Sequence, residues 1–274
     1  MTSLHKPSEI AELVEKAGIA KAAAPFHAVV VLSVLAGAFI AFGGAFYTMT
    51  MTGTDMGFGP ARALGGVTFS LGLVLVVIGG AELFTGNALI VMAWVDRLLT
   101  TRALLANWTI VWCGNLVGAL LVALLVHLTG LLSTDFGKTA ARIATAKLAL
   151  GPLDVFARAI LCNALVCLAV WLSFAATDVT GKILSIILPV TAFVALGLEH
   201  SIANMYLLPI GLLAGADGSL ADIAANILIS TAGNILGGGG GVALAYRFAF
   251  KPQLPSAGSS KTPPMPVRDP PPRA

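Results

Sequence analysis

Charge is what this chain has least of. Only 11% of its 274 residues are Asp, Glu, Lys or Arg, against about a quarter in an ordinary soluble domain. The net charge is +3, and no Lys/Arg run with interleaved aromatics is present, so a nucleic-acid partner is not expected. Cysteine is scarce as well. Cys113, Cys162 and Cys167 all fall in apolar segments with no CxxC or Cys/His ligand spacing. That argues against a disulfide framework or a zinc site, and no metal or cofactor is expected. The polar N-terminus lacks a short apolar core with a small-residue cleavage site, so no cleavable signal peptide is expected. What remains is apolar: 57% of the residues are hydrophobic, in runs that exceed the ~20 residues needed to cross a bilayer core. The composition predicts an all-α, multi-pass membrane protein.

Six apolar spans are expected, at about 27–49, 63–98, 104–130, 153–176, 183–214 and 220–249. Residues 1–24 form a polar lead. Ser8 can cap a helix with Glu9 and Glu12 in its first turn, and Ile10, Leu13, Val14 and Ala17 then share a face. This is read as a short amphipathic helix at the membrane surface, or else a partly ordered tail. Residues 25–250 are the transmembrane domain, with repeats over about 25–130 and 150–250. Residues 251–274 hold eight of the fourteen prolines and are expected to be disordered.

The second and fifth spans carry one pattern. Gly80-Ala81-Glu82-Leu83-Phe84-Thr85-Gly86-Asn87 and Gly197-Leu198-Glu199-His200-Ser201-Ile202-Ala203-Asn204 are both G-x-E-x4-N. An echo follows each, Gly114-Asn115-Leu116-Val117-Gly118 and Gly233-Asn234-Ile235-Leu236-Gly237. The two halves are copies of one unit. Polar groups in mid-span imply that each of these two spans is broken into half-helices. Such breaks persist in a membrane only inside protein or beside a water-filled cavity, and paired breaks point to a transport site. Three crossings per unit make the repeats inverted. With the N-terminus in the cytoplasm, only Arg62, Lys138, Arg142 and Lys147 fall outside, with Arg158 inside a span. The basic bias therefore puts both termini in the cytoplasm.

His200 is the sharpest candidate for chemistry. It sits in the second break, histidine is the side chain whose unperturbed charge change lies near neutral pH, and ionisable groups within a membrane are costly and usually functional. The competing reading is a neutral histidine satisfied by backbone groups. Glu82 and Glu199 occupy matching places. Direct substrate contact is one reading, but a carboxylate repels an anionic substrate. Support of the broken loops is therefore preferred, most strongly for Glu82 and together with Asn87 and Asn204, while Glu199 is kept among the candidate pore residues beside His200. Thr85 offers a hydroxyl in the first loop, and Gly86 behind it can reshape that loop. Phe69, Leu73, Leu83 and Phe193 are either plain packing or a pair of apolar constrictions that gate by dewetting. By its surroundings alone, Lys147 reads as a solvated loop lysine. The run Gly237–Gly241 reads as a packing surface, not a phosphate loop, because no GK[ST] follows.

At these residues the chain resembles the formate/nitrite transporter family over about residues 8–250. The strings that carry the resemblance are Ala81–Asn87, Gly114–Ala119, Asn163-Ala164-Leu165-Val166-Cys167-Leu168-Ala169-Val170-Trp171, and Leu198–Met205. The resemblance implies an aquaporin-like fold, a homopentamer with one pore per subunit in the inner (cytoplasmic) membrane, and passage of small monovalent anions. Formate is favoured, then nitrite, then hydrosulfide, because the string from Asn163 to Trp171 is formate-like whereas Gly86 after Thr85 fits the other two. The family's central histidine, which exchanges protons with the substrate, falls on His200. Its mobile-loop threonine falls on Thr85 and its pore asparagine on Asn163. Its outer constriction falls on Phe69, Leu73 and Phe193, and its inner one on Leu83 and Val166. Its outer lysine falls on Lys147, which reverses the reading from surroundings alone. A neutral-solute channel is the alternative of another class, but its paired Asn-Pro-Ala boxes are absent. An enzyme is not expected, because His5, His27, His127 and His200 fall in separate segments and no nucleophile–base pair can be assembled.

Overall fold

A computed structural model describes residues 4–250, so the tail after residue 250 lies outside the described residues. Every regular element in the described part is helical. In chain order these are α1 (Pro7–Ala22), α2 (Phe26–Thr50), α3 (Phe58–Gly79), a 3-10 turn (Gly86–Ile90), α4 (Val91–Val95), α5 (Thr101–Leu128), a second 3-10 turn (Leu131–Ser133), α6 (Asp135–Leu148), α7 (Pro152–Ala175), α8 (Val179–Ala195), α9 (Ser201–Leu213), α10 (Leu220–Ile235), a π-helical stretch (Leu236–Ala243) and α11 (Leu244–Ala249). Five helical runs are long and apolar enough to cross a membrane by length and composition: α2, α3, α5, α7, and the continuous run from α10 through α11.

The stretches 63–98 and 183–214 are each divided. α3 stops at Gly79 and α8 at Ala195, and the residues that end them, Gly80 and Gly197, have φ of 73° and 69°. That left-handed turn is nearly strain-free only for glycine. It closes a 6→1 backbone bond in each case, from Ala81 N–H to the Val76 carbonyl and from Leu198 N–H to the Phe193 carbonyl.

Packing follows the repeat in the sequence. α2 packs on α3 and α5, α7 packs on α8 and α10, and α3 meets α8 between the two sets. Close approach is bought with glycine. A β-carbon on Gly118 would lie 1.9 Å from the Val34 carbonyl oxygen, and one on Gly237 would lie 2.0 Å from that of Ile160. The polar residues are inside. Asn115, Asn163, Asn204 and Asn234 are fully buried while Phe42, Leu124 and Leu188 face outward. Where the solvent is lipid, apolar side chains need not hide, and association relies on small residues and hydrogen bonds.

The lead forms a helix, but Ser8 does not cap it. Lys6 takes the N-cap place, Pro7 occupies the first turn, and the Glu9 carboxylate accepts the Lys6 backbone N–H at 2.8 Å. Proline has no N–H to lose there and its φ is already helical, so the start moves ahead of Ser8. The buried face is Ile10, Ala11, Val14 and Gly18, rotated from the expected Leu13 and Ala17. It lies against the first 3-10 turn and α4.

Candidate functional site

Each break is held by one scheme of side chains. In the first, the Asn115 amide oxygen accepts the Phe84 N–H at 2.9 Å, and its amide nitrogen donates to the carbonyls of Ser33 (2.8 Å) and Glu82 (2.9 Å). In the second, Asn234 accepts from Ser201 N–H at 2.9 Å and donates to the carbonyls of Ala159 (2.8 Å) and Glu199 (3.0 Å). A helix break strands backbone donors and acceptors, and each asparagine satisfies some of them from the neighbouring helix.

The carboxylates belong to the same scheme. Glu82 accepts Lys21 Nζ at 2.8 Å on one oxygen and Asn87 Nδ2 at 2.7 Å on the other. Glu199 accepts Lys147 Nζ at 2.7 Å and Asn204 Nδ2 at 2.7 Å. Asn87 in turn donates to Asn107 Oδ1 at 3.0 Å, and Asn204 to Asn226 Oδ1 at 2.7 Å. Lys21 stands in the last turn of α1 and Lys147 in the last turn of α6. The short helix that precedes each broken span's repeat thus delivers one lysine to the glutamate of that break.

Lys21, Asn107 and Asn226 were missed as site residues. Lys21 lies 61 positions from Glu82 in a segment that reads as a polar tail, so no local pattern ties them together. A signal existed in the repeat itself: Asn107 follows Asn87 by 20 residues and Asn226 follows Asn204 by 22.

Two cavities flank this assembly. The one on the Lys147 side measures about 580 Å³ and includes Phe69, Phe193, Glu199 and His200 in its lining. The one on the Lys21 side measures about 330 Å³ and includes Leu73, Glu82, Leu83 and Gly86. Phe69 and Phe193 meet edge to face with ring centroids 5.7 Å apart. Leu73, expected beside them, instead lines the Lys21-side cavity with Leu83. One turn along α3 carries a side chain ~6 Å along the axis, enough to move it past the pair. Val166 is buried on α7 and lines neither of these two cavities.

Between the cavities Thr85 Oγ1 and His200 Nε2 are 2.9 Å apart. His200 is also the N-cap of α9, where its Nδ1 accepts the Ala203 backbone N–H at 3.0 Å. That bond fixes the tautomer. An amide N–H can only donate, so Nδ1 carries no proton, and in the neutral ring the proton sits on Nε2 facing Thr85. The His200 ring stacks on Phe193 at 5.8 Å. The Thr85 carbonyl accepts Asn163 Nδ2 at 3.2 Å and the Cys167 thiol at 3.4 Å, and Asn163 also donates to the Asn234 carbonyl at 2.7 Å. Behind them is Gly238 of the π-helical stretch, where a β-carbon would lie 2.3 Å from Asn163 Nδ2 and 2.7 Å from Cys167 Sγ.

The two breaks differ in anchorage. α8 ends under two arginines: Arg62 Nη2 donates to the Val194 carbonyl and Arg158 Nη1 to the Gly197 carbonyl, each at 3.2 Å. Cations at a helix C-terminus offset the dipole and the stranded carbonyls. No arginine contact of this kind is present at the end of α3 among the described residues.

No group of three or more His, Cys, Asp or Glu side chains among the described residues could hold a metal ion. The arrangement places one hydroxyl and one imidazole in contact between two cavities, each of which has lysine in its lining. Comparison with known proteins points the same way. A family model described as Formate/nitrite transporter matches residues 8–248. The chain is 42% identical to an uncharacterized transporter, YrhG, of Bacillus subtilis (strain 168), over 90% of this chain and 94% of that protein. It is 39% identical to the formate channel FocA of Escherichia coli (strain K12), over 88% of this chain and 92% of that one. A solved pentameric formate channel with formate bound superposes with a TM-score of 0.74 at 36% identity, covering 82% of this chain and 97% of that one. With the paired breaks, the buried polar centre and the apolar exterior already in place, this multi-pass membrane protein belongs to the formate/nitrite transporter family.

Proposed function

We propose that the chain is a channel for small monovalent anions, formate first, with nitrite and hydrosulfide as weaker candidates. Six crossings form when α3 with α4, and α8 with α9, are each taken as one broken span. The halves are then inverted repeats of an aquaporin-like fold, five subunits assemble, and both termini face the cytoplasm across the inner membrane. The observation that carries this reading is the Thr85–His200 contact set between two cavities, each with its own Lys–Glu pair.

An anion entering from the Lys147 side meets an ammonium that raises its local concentration, then the Phe69–Phe193 pair. A bare carboxylate pays heavily for leaving water. The Thr85 hydroxyl receives a hydrogen bond from His200 Nε2–H and can turn its own proton to the passing oxygen. Proton exchange at the centre would make formate neutral and lower the barrier at Leu83 and Leu73 beyond. An additional proton on the ring has to go to Nδ1, which means surrendering the Ala203 bond. Ring charge and the seating of α9 are thereby linked. Asn163 holds the Thr85 backbone in line for this exchange.

Purified protein in liposomes is expected to pass formate faster than nitrite or hydrosulfide, and glycerol not at all. Glycerol flux above formate flux would move the reading to a neutral-solute channel. His200→Asn is expected to keep the assembly and flatten the dependence of formate flux on pH. An unchanged flux-versus-pH curve in that variant overturns the proton role.

A further inference from the structure

The Lys147-side cavity is more cationic than a path for a single small anion requires. Its lining carries Arg62, Arg142, Arg158 and Lys147, and one carboxylate, Glu199. Lys147 is already paired with that carboxylate at 2.7 Å. Arg62 and Arg158 bond only to backbone carbonyls, and none of the three arginines forms an ion pair among the described residues. Arginine stays protonated in any protein environment. Three guanidinium charges therefore face one cavity with no carboxylate partner of their own among the described residues.

The cavity volume of about 580 Å³ lies within the ~300–1,000 Å³ that houses ligands far larger than formate. Its walls are also apolar in part, through Tyr47, Phe58 and Ile143. We propose that this vestibule is a binding site for small dicarboxylates, which occupy it without passing the Phe69–Phe193 pair and so compete with the transported anion. Two carboxylates match the forked donors of guanidinium groups, and a hydrocarbon spacer matches the apolar wall. Inorganic phosphate shares the charge but has no spacer. The competition rests on the pore reading above; the binding does not.

The test is calorimetric titration of the full-length protein in detergent with succinate, phosphate and acetate at constant ionic strength. Succinate is expected to bind at least about tenfold more tightly than acetate, the margin of one further charge-assisted contact, and more tightly than phosphate. Arg142→Glu is expected to weaken succinate by about tenfold or more. Arg142→Gln, which removes the charge without reversing it, serves if the first variant fails to assemble. Equal binding of succinate and acetate, or succinate binding untouched by either variant, overturns the site. Phosphate binding as tight as succinate overturns the dicarboxylate assignment. In liposomes, external succinate is expected to slow formate entry through the unaltered protein and to lose that effect in Arg142→Gln. Succinate that binds but leaves entry unchanged overturns the competition. A protein that binds succinate yet passes no formate overturns the channel reading and leaves the site standing.

Discussion

At Gly80 the chain leaves α3 and re-enters through a 3-10 turn and a helix of five residues. At Gly197 it leaves α8 and re-enters directly into α9, thirteen residues long and capped by its own histidine. The glycine, the glutamate, the clamping asparagine and the lysine are the same at both. The residues between them are not: where the first half has Leu83 and Thr85, the second has His200 and Ile202. The arginines that hold α8 have no counterpart at α3 among the described residues. The same frame of backbone hydrogen bonds thus holds both breaks while the residues at their centres supply two different groups for one contact.

If the lysines are equivalent in kind, they should differ in degree. The Glu199 and Lys147 side chains are 1% and 17% exposed, against 9% and 32% for Glu82 and Lys21. Removing one partner from a buried ion pair costs about 3–5 kcal/mol because the other charge is left stranded. Lys147→Met is expected to approach that figure in detergent melts. Lys21→Met should cost clearly less, because solvent screens the more exposed pair. Equal losses, or a larger one at Lys21, would break the ranking.

The glycines sharpen the comparison. A β-carbon in the left-handed region costs about 1–2 kcal/mol, so Gly80→Ala and Gly197→Ala should share that loss. Space is open around Gly80, but at Gly197 the new carbon would meet Arg62 Nη2 at 2.5 Å. Gly197→Ala should therefore also displace Arg62 from the Val194 carbonyl, and its deficit should shrink when combined with Arg62→Ala. Additive losses in the double variant would show that the arginine does not hold this turn.

The smallest effect separates the two short helices that carry those lysines. On α1, Glu15 has its carboxyl raised from 4.5 to about 7, first by burial, then by hydrogen bonding and like charge from Asp96, against the opposing pull of Arg247. A raised acid is content while protonated. Its contribution to α1 docking is therefore full below about 4.5 and lost as pH rises through about 7. On α6, Lys138 holds the exposed Asp135 below its ordinary 3.8, which leaves no change over the same range. Protection of α1 amides from hydrogen exchange is expected to fall between pH 5 and 8, and that of α6 to stay level. Glu15→Gln should remove the slope, and a slope that survives this change assigns it elsewhere.

Much of the frame could be read from residue order because polar groups in an apolar run have few reasons to exist. Glu82, Asn87, Glu199 and Asn204 announced the breaks, and Asn115 and Asn234 announced the repeat. What stayed hidden depended on distance in sequence or on backbone geometry. Lys21 could not be tied to Glu82 before the fold brought α1 against the first 3-10 turn. The capping by His200 depends on the φ and ψ of that residue, which side-chain type alone does not specify. The helix start at Lys6 was obscured because Ser8 is the stronger cap by composition, and Pro7 outweighs it by position. Leu73 was grouped with Phe69 by family likeness, and a single helical turn separates them.

The glycine run read as a packing surface has a narrower consequence. Gly238 lies against Asn163 and Cys167, and both of these reach the Thr85 carbonyl. A methyl group at 238 would clash with both of those side chains and with the Ala88 β-carbon, so both would have to shift, and the threonine would follow. The tolerance of the last helix to substitution is therefore set by a loop more than 150 positions earlier in the chain. A screen of neutral variants should find position 238 closed while Gly241, whose nearest neighbour would be 3.8 Å away, accepts alanine.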